Sequence, residues 1–370
     1  MRYVAIEHLR EGMILGKTLY GEMGEVLLRE GSKILKSYQN KISSLGYFGL
    51  YIQDALSEDI DVKGAISEDL KMRTIQAVKT MMNINRDDDK QILKSFDELE
   101  ELIENIVKDI TANKDLIINM IDLKVANNYT FYHSVNVSVI SLVIGLAMNL
   151  SPKDMYNLGI ASLLHDIGKI FIPNEILDKP GPLTFEEYNI IRKHPEDGYN
   201  YVKEKLFTHT KTYLAILEHH ERFDGTGYPR HIAGKNIGLF ARIISVADVY
   251  DALTSDRPYK KRAIPSEAME YIMGGGGTFF DIDVVKEFSK IVAPYPVGTC
   301  VKLSNNLVGI VVENFSDCCM RPKIKIIKDE HGPIKPYLIN LKTSNYNVII
   351  ADTADALSSE EWKSVIGYDI

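Results

Sequence analysis

Between residues 93 and 110 apolar side chains return at steps of three and four: Leu93, Phe96, Leu99, Leu102, Ile103, Ile106, Val107 and Ile110. That spacing is one face of an α-helix, and it predicts an amphipathic helix within a helical segment of about 61–125. Asn85-Arg86-Asp87-Asp88-Asp89 breaks it from the helix before. Residues 126–293 continue mainly helical. Ser151-Pro152 offers an N-cap with a first-turn proline, and Thr184-Phe185-Glu186-Glu187 a capping box, so a helix is expected to open at each. Pro180-Gly181-Pro182 and Asp224-Gly225-Thr226-Gly227-Tyr228-Pro229 read as loops. Gly274–Gly277 predicts a flexible break; no Gly-Lys-Ser or Gly-Lys-Thr follows, so it is not a phosphate loop.

Both ends carry a different pattern. Short β-rich runs at Met13–Tyr20, Val26–Leu28 and Phe48–Ile52 surround a helical stretch near Ser37–Ser44. Near the other end, Val301–Leu303, Val308–Val312, Lys323–Ile327, Tyr337–Leu341 and Val348–Ile350 read as strands, with a hairpin turn at Asp329-Glu330-His331-Gly332. At 370 residues the chain exceeds the roughly 250–300 at which a single core stops growing. The expected architecture is mainly α: a helical bundle at 126–293, a small mixed β module at 1–60, a helical connecting or dimerisation segment at 61–125, and a small β-rich module at 294–370.

Composition narrows the function classes. Hydrophobic residues make up 45% and charged residues 25%, which is ordinary for a globular protein. A net charge of −8 argues against a large nucleic-acid surface. A small anion is still acceptable, because local cations and metals can dominate one cleft. Cys300, Cys318 and Cys319 have no disulfide-framework or zinc spacing. The longest apolar stretch, Val137–Leu150, is shorter than the ~20 residues of a membrane span and contains Ser138, Ser141 and Asn149. No apolar signal region follows Met1. The expectation is a cytoplasmic protein with a buried helix there.

Five of the nine histidines carry the chemical signal: His133, His165, His194, His219 and His220. His165-Asp166 follows an apolar run. Neighbours on a helix point about 100° apart, so the pair can flank two metal ions, or be a simple His-Asp pair at a helix end. Lys169 lies one turn beyond, provided the helix persists across Gly168. His219-His220-Glu221 precedes an Asp-Gly-x-Gly loop, where adjacent imidazoles suit metal ligation. Asp248 sits in the apolar run Ile244–Asp248; a buried carboxylate there needs a metal or a partner such as Arg242 or Arg257.

Together these motifs resemble the HD-GYP family of metal-dependent phosphohydrolases. His165-Asp166 matches its HD and Gly227-Tyr228-Pro229 its GYP. Ile176–Gly181, His194-Pro195, His219–Gly225, Asp248–Leu253 and Arg257-Pro258-Tyr259 extend the match over about residues 125–295. The resemblance implies an HD-type helical bundle with two divalent metal ions. Iron or manganese suits ligation without thiolate, and zinc stays open. The implied ligands are His133, His165 and Asp248 on one ion and His194, His219 and His220 on the other, with Asp166 bridging. Lys169 would face the scissile phosphate, held by Asp251; Arg257 and Lys260 would hold substrate phosphates; Tyr228 would stack or pack beside them. His8, His209, His231 and His331 match no ligand position.

The implied activity is a phosphodiesterase that opens cyclic di-GMP to pGpG, and onward to GMP, by in-line attack of a metal-bridging hydroxide. A cyclic-dinucleotide sensor, a hydrolase preferring cyclic GMP-AMP and a nucleoside-phosphate hydrolase are the alternatives. No large nucleic acid and no membrane span is expected; a homodimer through 61–125 is open. Three-metal members of the family carry a Glu four residues before the first histidine. Here Tyr129 stands at that position, which implies two ions rather than three.

Overall fold

The computed structural model describes residues 1–21, 25–45, 47, 49–62, 64–112, 129–179, 181–206, 208–255, 263–344 and 346–353. It divides into two compact units, one helical and one built largely of strands. The architecture is mainly α, with small sheets supplied by the two ends of the chain.

The helical unit contains α2 (Glu68–Asn83), α3 (Asp89–Ala112), α4 (Tyr129–Ala147), α5 (Pro152–Leu163), α6 (Asn174–Leu177), α7 (Phe185–Ile191), α8 (His194–Lys205), α9 (Thr210–Glu218), α10 (Leu239–Thr254), α11 (Pro265–Gly274) and α12 (Ile282–Ile291). Its centre is α4, which packs against α2, α3, α5, α10 and α12. This helix is apolar on every side, as an element surrounded by others must be. Val135, Val137, Ile140, Leu142 and Ile144 are fully buried. The span Thr130–Ala147 is long and apolar enough to cross a membrane by composition, and 78% of it is buried inside the unit.

The caps form where the sequence places them. The Ser151 hydroxyl accepts from Asp154 N, with Pro152 in the first turn. At Thr184 both halves of the capping box are made. Two local expectations need correction. On α3, Leu93 faces solvent and Ile92 takes its place in the core, because the helix begins at Asp89 and its buried stripe runs through Ile92, Phe96, Leu99 and Ile103. The glycine run at 274–277 is a tied turn rather than a flexible break: Gly277 N donates to Phe280 O at 2.8 Å, and Gly276 bridges Phe280.

The second unit joins the two ends of the chain. β1 (Arg2–Ala5), β5 (Gly49–Gln53) and β2 (Ile14–Leu15) make one sheet, and β3 (Leu19–Tyr20) pairs with β4 (Val26–Leu28). The helix α1 (Lys36–Ser44) also lies in this stretch. A five-stranded antiparallel sheet runs in the order β10 (Ile350–Thr353), β6 (Cys300–Leu303), β7 (Val308–Glu313), β8 (Lys323–Asp329), β9 (Gly332–Asn340). Asp329 pairs with Gly332, closing the expected hairpin. One core draws on both ends: Tyr51, Leu56 and Ile60 pack with Val297, Cys300, Val308, Ile310 and Ile327. Tyr3 N donates to Gly298 O at 3.0 Å across the same junction.

Candidate metal centre

Five stretches of the helical unit supply the side chains. His133 lies one turn into α4. His165 and Asp166 follow the end of α5 and precede a tight 3-10 turn, Ile167–Phe171. His194 opens α8, and His219 and His220 follow α9. Asp248 and Asp251 stand three apart on α10, hence on one face.

One local device orients three of the rings. The last carbonyls of a helix have no partner inside it. His165 Nδ1 donates to Ser162 O, His194 Nδ1 to Ile191 O and His219 Nδ1 to Ile216 O, each at 2.7 Å and each three residues back. A carbonyl only accepts, so each Nδ1 carries the proton, and the Nε2 lone pair of each neutral ring points away from its helix end. His133 is oriented differently: its Nδ1 donates to Asp251 Oδ2 at 2.7 Å. Asn136 Nδ2 (3.0 Å) and Ser255 Oγ (3.2 Å) donate to the same carboxylate.

The Nε2 atoms converge on Asp166, which is buried. Its Oδ2 lies 3.4 Å from His165 Nε2, 3.8 Å from His133 Nε2 and 2.6 Å from Lys169 Nζ. Its Oδ1 lies 3.3 Å from His194 Nε2. Two groups with metal-ligand spacing result: His133, His165 and Asp166, and His194, His219 and His220. Asp248 joins the first, its Oδ1 being 3.1 Å from His133 Nε2, and approaches the second, its Oδ2 being 3.9 Å from His220 Nδ1. Arg242, the other partner considered for Asp248, pairs with Asp281 instead.

Burial lowers His194 to about 3 and His220 to about 4, and takes His219 well below its ordinary value. His133 goes the other way. Burial opposes its charge, but hydrogen bonds to Asp248 and Asp251 outweigh that and raise it to about 9. Burial likewise favours a neutral Asp166, yet Lys169, His165 and His194 hold its carboxyl well below the usual range.

These residues fit divalent cations. His165 Nε2 is buried with no hydrogen-bond partner among the described residues. His194 Nε2 and His219 Nε2 stand 3.3 Å apart with both protons on the far nitrogens, so two lone pairs face each other. An ion held by His194 and His219 would relieve that pair, and one held by His133, His165 and Asp166 would take up the His165 lone pair. Residues 105–284 match the HD domain family. That match takes in His133, His165, Asp166, His194, His219, His220 and Asp248. Residues 300–361 match a KOW domain associated with HD domain.

Curated proteins are similar to parts of this chain. The chain is 37% identical over 245 residues to cyclic di-GMP phosphodiesterase PA4108 of Pseudomonas aeruginosa, covering 65% of this chain and 58% of that protein. It is 43% identical over 136 residues to the cyclic di-GMP phosphodiesterase response regulator RpfG of Xanthomonas campestris, 36% of each chain. To 3'3'-cGAMP-specific phosphodiesterase 1 of Vibrio cholerae it is 37% identical over 163 residues, covering 44% of this chain and 37% of that one. The match thus spans under two thirds of each relative's length.

Around the HD-domain centre, two sequence expectations shift. Lys169 pairs with Asp166 rather than Asp251, whose carboxylate faces His133, Asn136 and Ser255. The helix does not persist across Gly168: α5 ends at Leu163, and the 3-10 turn brings Lys169 back over Asp166. Arg257 and Lys260 lie outside the described residues. Tyr228 stacks on His220, centroids 4.8 Å apart at 27°.

Several bracing residues escaped the sequence reading. Glu221 Oε1 accepts from Arg230 N at 2.6 Å; Glu218 accepts from Arg230 Nη1 at 2.7 Å and from Gly238 N at 2.9 Å. Together they tie down the Gly-Tyr-Pro loop. A Cβ on Gly227 would meet Arg222 N at 2.2 Å, so only glycine lets this loop lie against His220-Glu221-Arg222. The signal available was Glu218 and Glu221, two acids flanking the histidine pair.

Proposed function

We propose that this chain is a metal-dependent phosphodiesterase that hydrolyses cyclic di-GMP to linear pGpG in the cytoplasm. The observation carrying this reading is the placement of Asp166, whose two oxygens face two separate groups of inward-turned imidazoles. His133, His165 and Asp248 would hold one divalent ion, His194, His219 and His220 the other, with Asp166 shared. Iron or manganese suits this donor set, and zinc is the third choice. When bound, such a pair lowers the pKa of water towards neutrality and neutralises phosphate oxygens.

The protein's own groups do the remainder. Helix-end carbonyls keep Nδ1 of His165, His194 and His219 protonated, so the Nε2 of each is aimed as a donor atom without reorganisation, and Asp251 orients His133. Lys169 is the mobile cation of the site; aimed at the phosphate, it would stabilise charge gathering on the non-bridging oxygens. Arg257 and Lys260 would anchor the phosphates, Arg in a bidentate fork and Lys as a point charge. Tyr228 covers one face of His220 and excludes water from that side.

Incubating metal-loaded protein with cyclic di-GMP and separating the products tests the reading. Linear pGpG is expected; an unchanged nucleotide under saturating metal rejects it. A preference for cyclic GMP-AMP is the second reading, favoured by the similarity to a Vibrio cholerae enzyme named for that substrate. Parallel assays with both nucleotides decide between them.

A further inference from the structure

Arg192 stands between α7 and α8, two residues before His194, and is half-buried. Its guanidinium carbon lies over the Tyr228 ring, 4.4 Å from the centroid, and 5.9 Å from that of Tyr188. Tyr228 in turn stacks on His220. A continuous series of planar groups therefore leads from Tyr188, 48% exposed, through Arg192 and Tyr228 to His220. Contact with the rings uses none of the N–H donors of the guanidinium in hydrogen bonds. Among the described residues the Arg192 side chain makes no hydrogen bond and no ion pair.

An arginine carries five N–H donors in a rigid plane, and those of the half-buried Arg192, with no protein partner among the described residues, are open to a ligand. Two ligand edges fit such a fork: a phosphate, and a purine edge with two in-plane acceptors. Guanine presents O6 and N7 in that arrangement, whereas adenine presents one acceptor and one amino donor, which faces the arginine unfavourably. The exposed Tyr188 ring favours the base over the phosphate, because a flat aromatic surface beside the fork lets a base stack while its edge is read.

We infer that Arg192 is a specificity-determining residue that reads the guanine base of the nucleotide held at the metal centre, with Tyr188 as its stacking surface. The inference rests on the phosphodiesterase reading and adds the basis on which guanine and adenine nucleotides are told apart.

The test compares R192A and R192K with wild type on cyclic di-GMP and cyclic di-AMP. Steady-state kinetics use the metal-loaded full chain, and equilibrium binding of both nucleotides uses the metal-free chain. R192A is expected to lower kcat/KM for cyclic di-GMP at least about tenfold, chiefly through KM, with a matching loss of binding, and to leave cyclic di-AMP nearly as in wild type. R192K keeps the charge without the fork and should behave like R192A. Guanine preference retained in R192K, an equal loss for both nucleotides, or loss of bound metal would overturn the inference, reducing Arg192 to a phosphate contact or a brace for Tyr228. A wild type that cleaves neither nucleotide overturns the phosphodiesterase reading as well, whether or not it binds them, whereas any outcome in which wild type cleaves cyclic di-GMP leaves that reading standing.

Discussion

His133 and the trio His165, His194 and His219 do the same job by different means. Each trio ring is set by a helix-end carbonyl, which fixes the tautomer and adds no formal charge. His133 is set by Asp251, a fully buried carboxylate. The consequence is electrostatic. Burial lowers His194 to about 3 although its carbonyl bond works the other way, while hydrogen bonds to Asp248 and Asp251 raise His133 to about 9 against burial. A backbone carbonyl orients the ring without adding a charge beside it. A carboxylate gives a more basic one, which must lose a proton before it can ligate but then binds more strongly.

The most drastic way to break that contrast is Asp166→Ala, because Asp166 alone faces both kinds of ring. Loss of both metals and of all hydrolysis is expected, measured by elemental analysis and product separation; a retained metal pair would remove Asp166 as the bridge. Lys169→Ala leaves both kinds of ring untouched. It should keep its metals and lose about 10²–10³ in kcat, as when one transition-state donor is removed. Turnover near wild type at saturating substrate would limit Lys169 to its pairing with Asp166.

Asp251→Asn sharpens the comparison, since the amide can still accept from Nδ1 but has no charge. Affinity for one ion should fall about 10–100-fold, the usual effect of losing a carboxylate behind a ligating histidine, with the other ion's affinity unchanged. Calorimetric titration resolves the two sites, and equal weakening of both would contradict the separate orientation of His133. In the metal-free protein the His133 imidazolium should titrate near 9 by NMR. Its folded value lies above the ordinary ~6.5, so the stability it adds is complete below about 6.5 and is lost as pH rises through about 9. In Asp251→Asn that loss should move to lower pH. The smallest effect concerns stoichiometry. Because Tyr129 replaces an acid four residues before His133, anaerobically purified protein should hold two ions per chain, and a time course should show pGpG accumulating ahead of GMP. Three tightly bound ions would refute the count.

The ligand-type residues were legible because His-Asp, His-His and Gly-Tyr-Pro are local strings, and helix starts were legible because Ser151 and Thr184 act within three residues. What holds the site was not. The carbonyls of Ser162, Ile191 and Ile216 carry no residue signature, since any amino acid supplies one. Gly168 appeared to permit a continuing helix; in fact a Cβ there would meet His194 O at 2.0 Å, so the glycine lets α8 start against the turn carrying Lys169. Arg192 belongs to no motif, and its partners Tyr188 and Tyr228 lie on separate elements. The strands at the two ends were readable as strands, but a core that joins Tyr51 to Val308 is a long-range contact that periodicity cannot report.

That shared core also sets an order of events at the ribosome. The helical unit comes from the middle of the sequence, while the β unit needs Leu56 and Ile60 from before it and Ile310 and Ile327 from after it. At about 5–20 residues per second, the early strands wait on the order of ten to fifty seconds for their partners, while the whole helical unit is being made. During that interval Tyr51, Leu56 and Ile60 lack the surface that buries them. These early strands therefore stay exposed until the later ones arrive, and the helical unit can finish folding before the β unit.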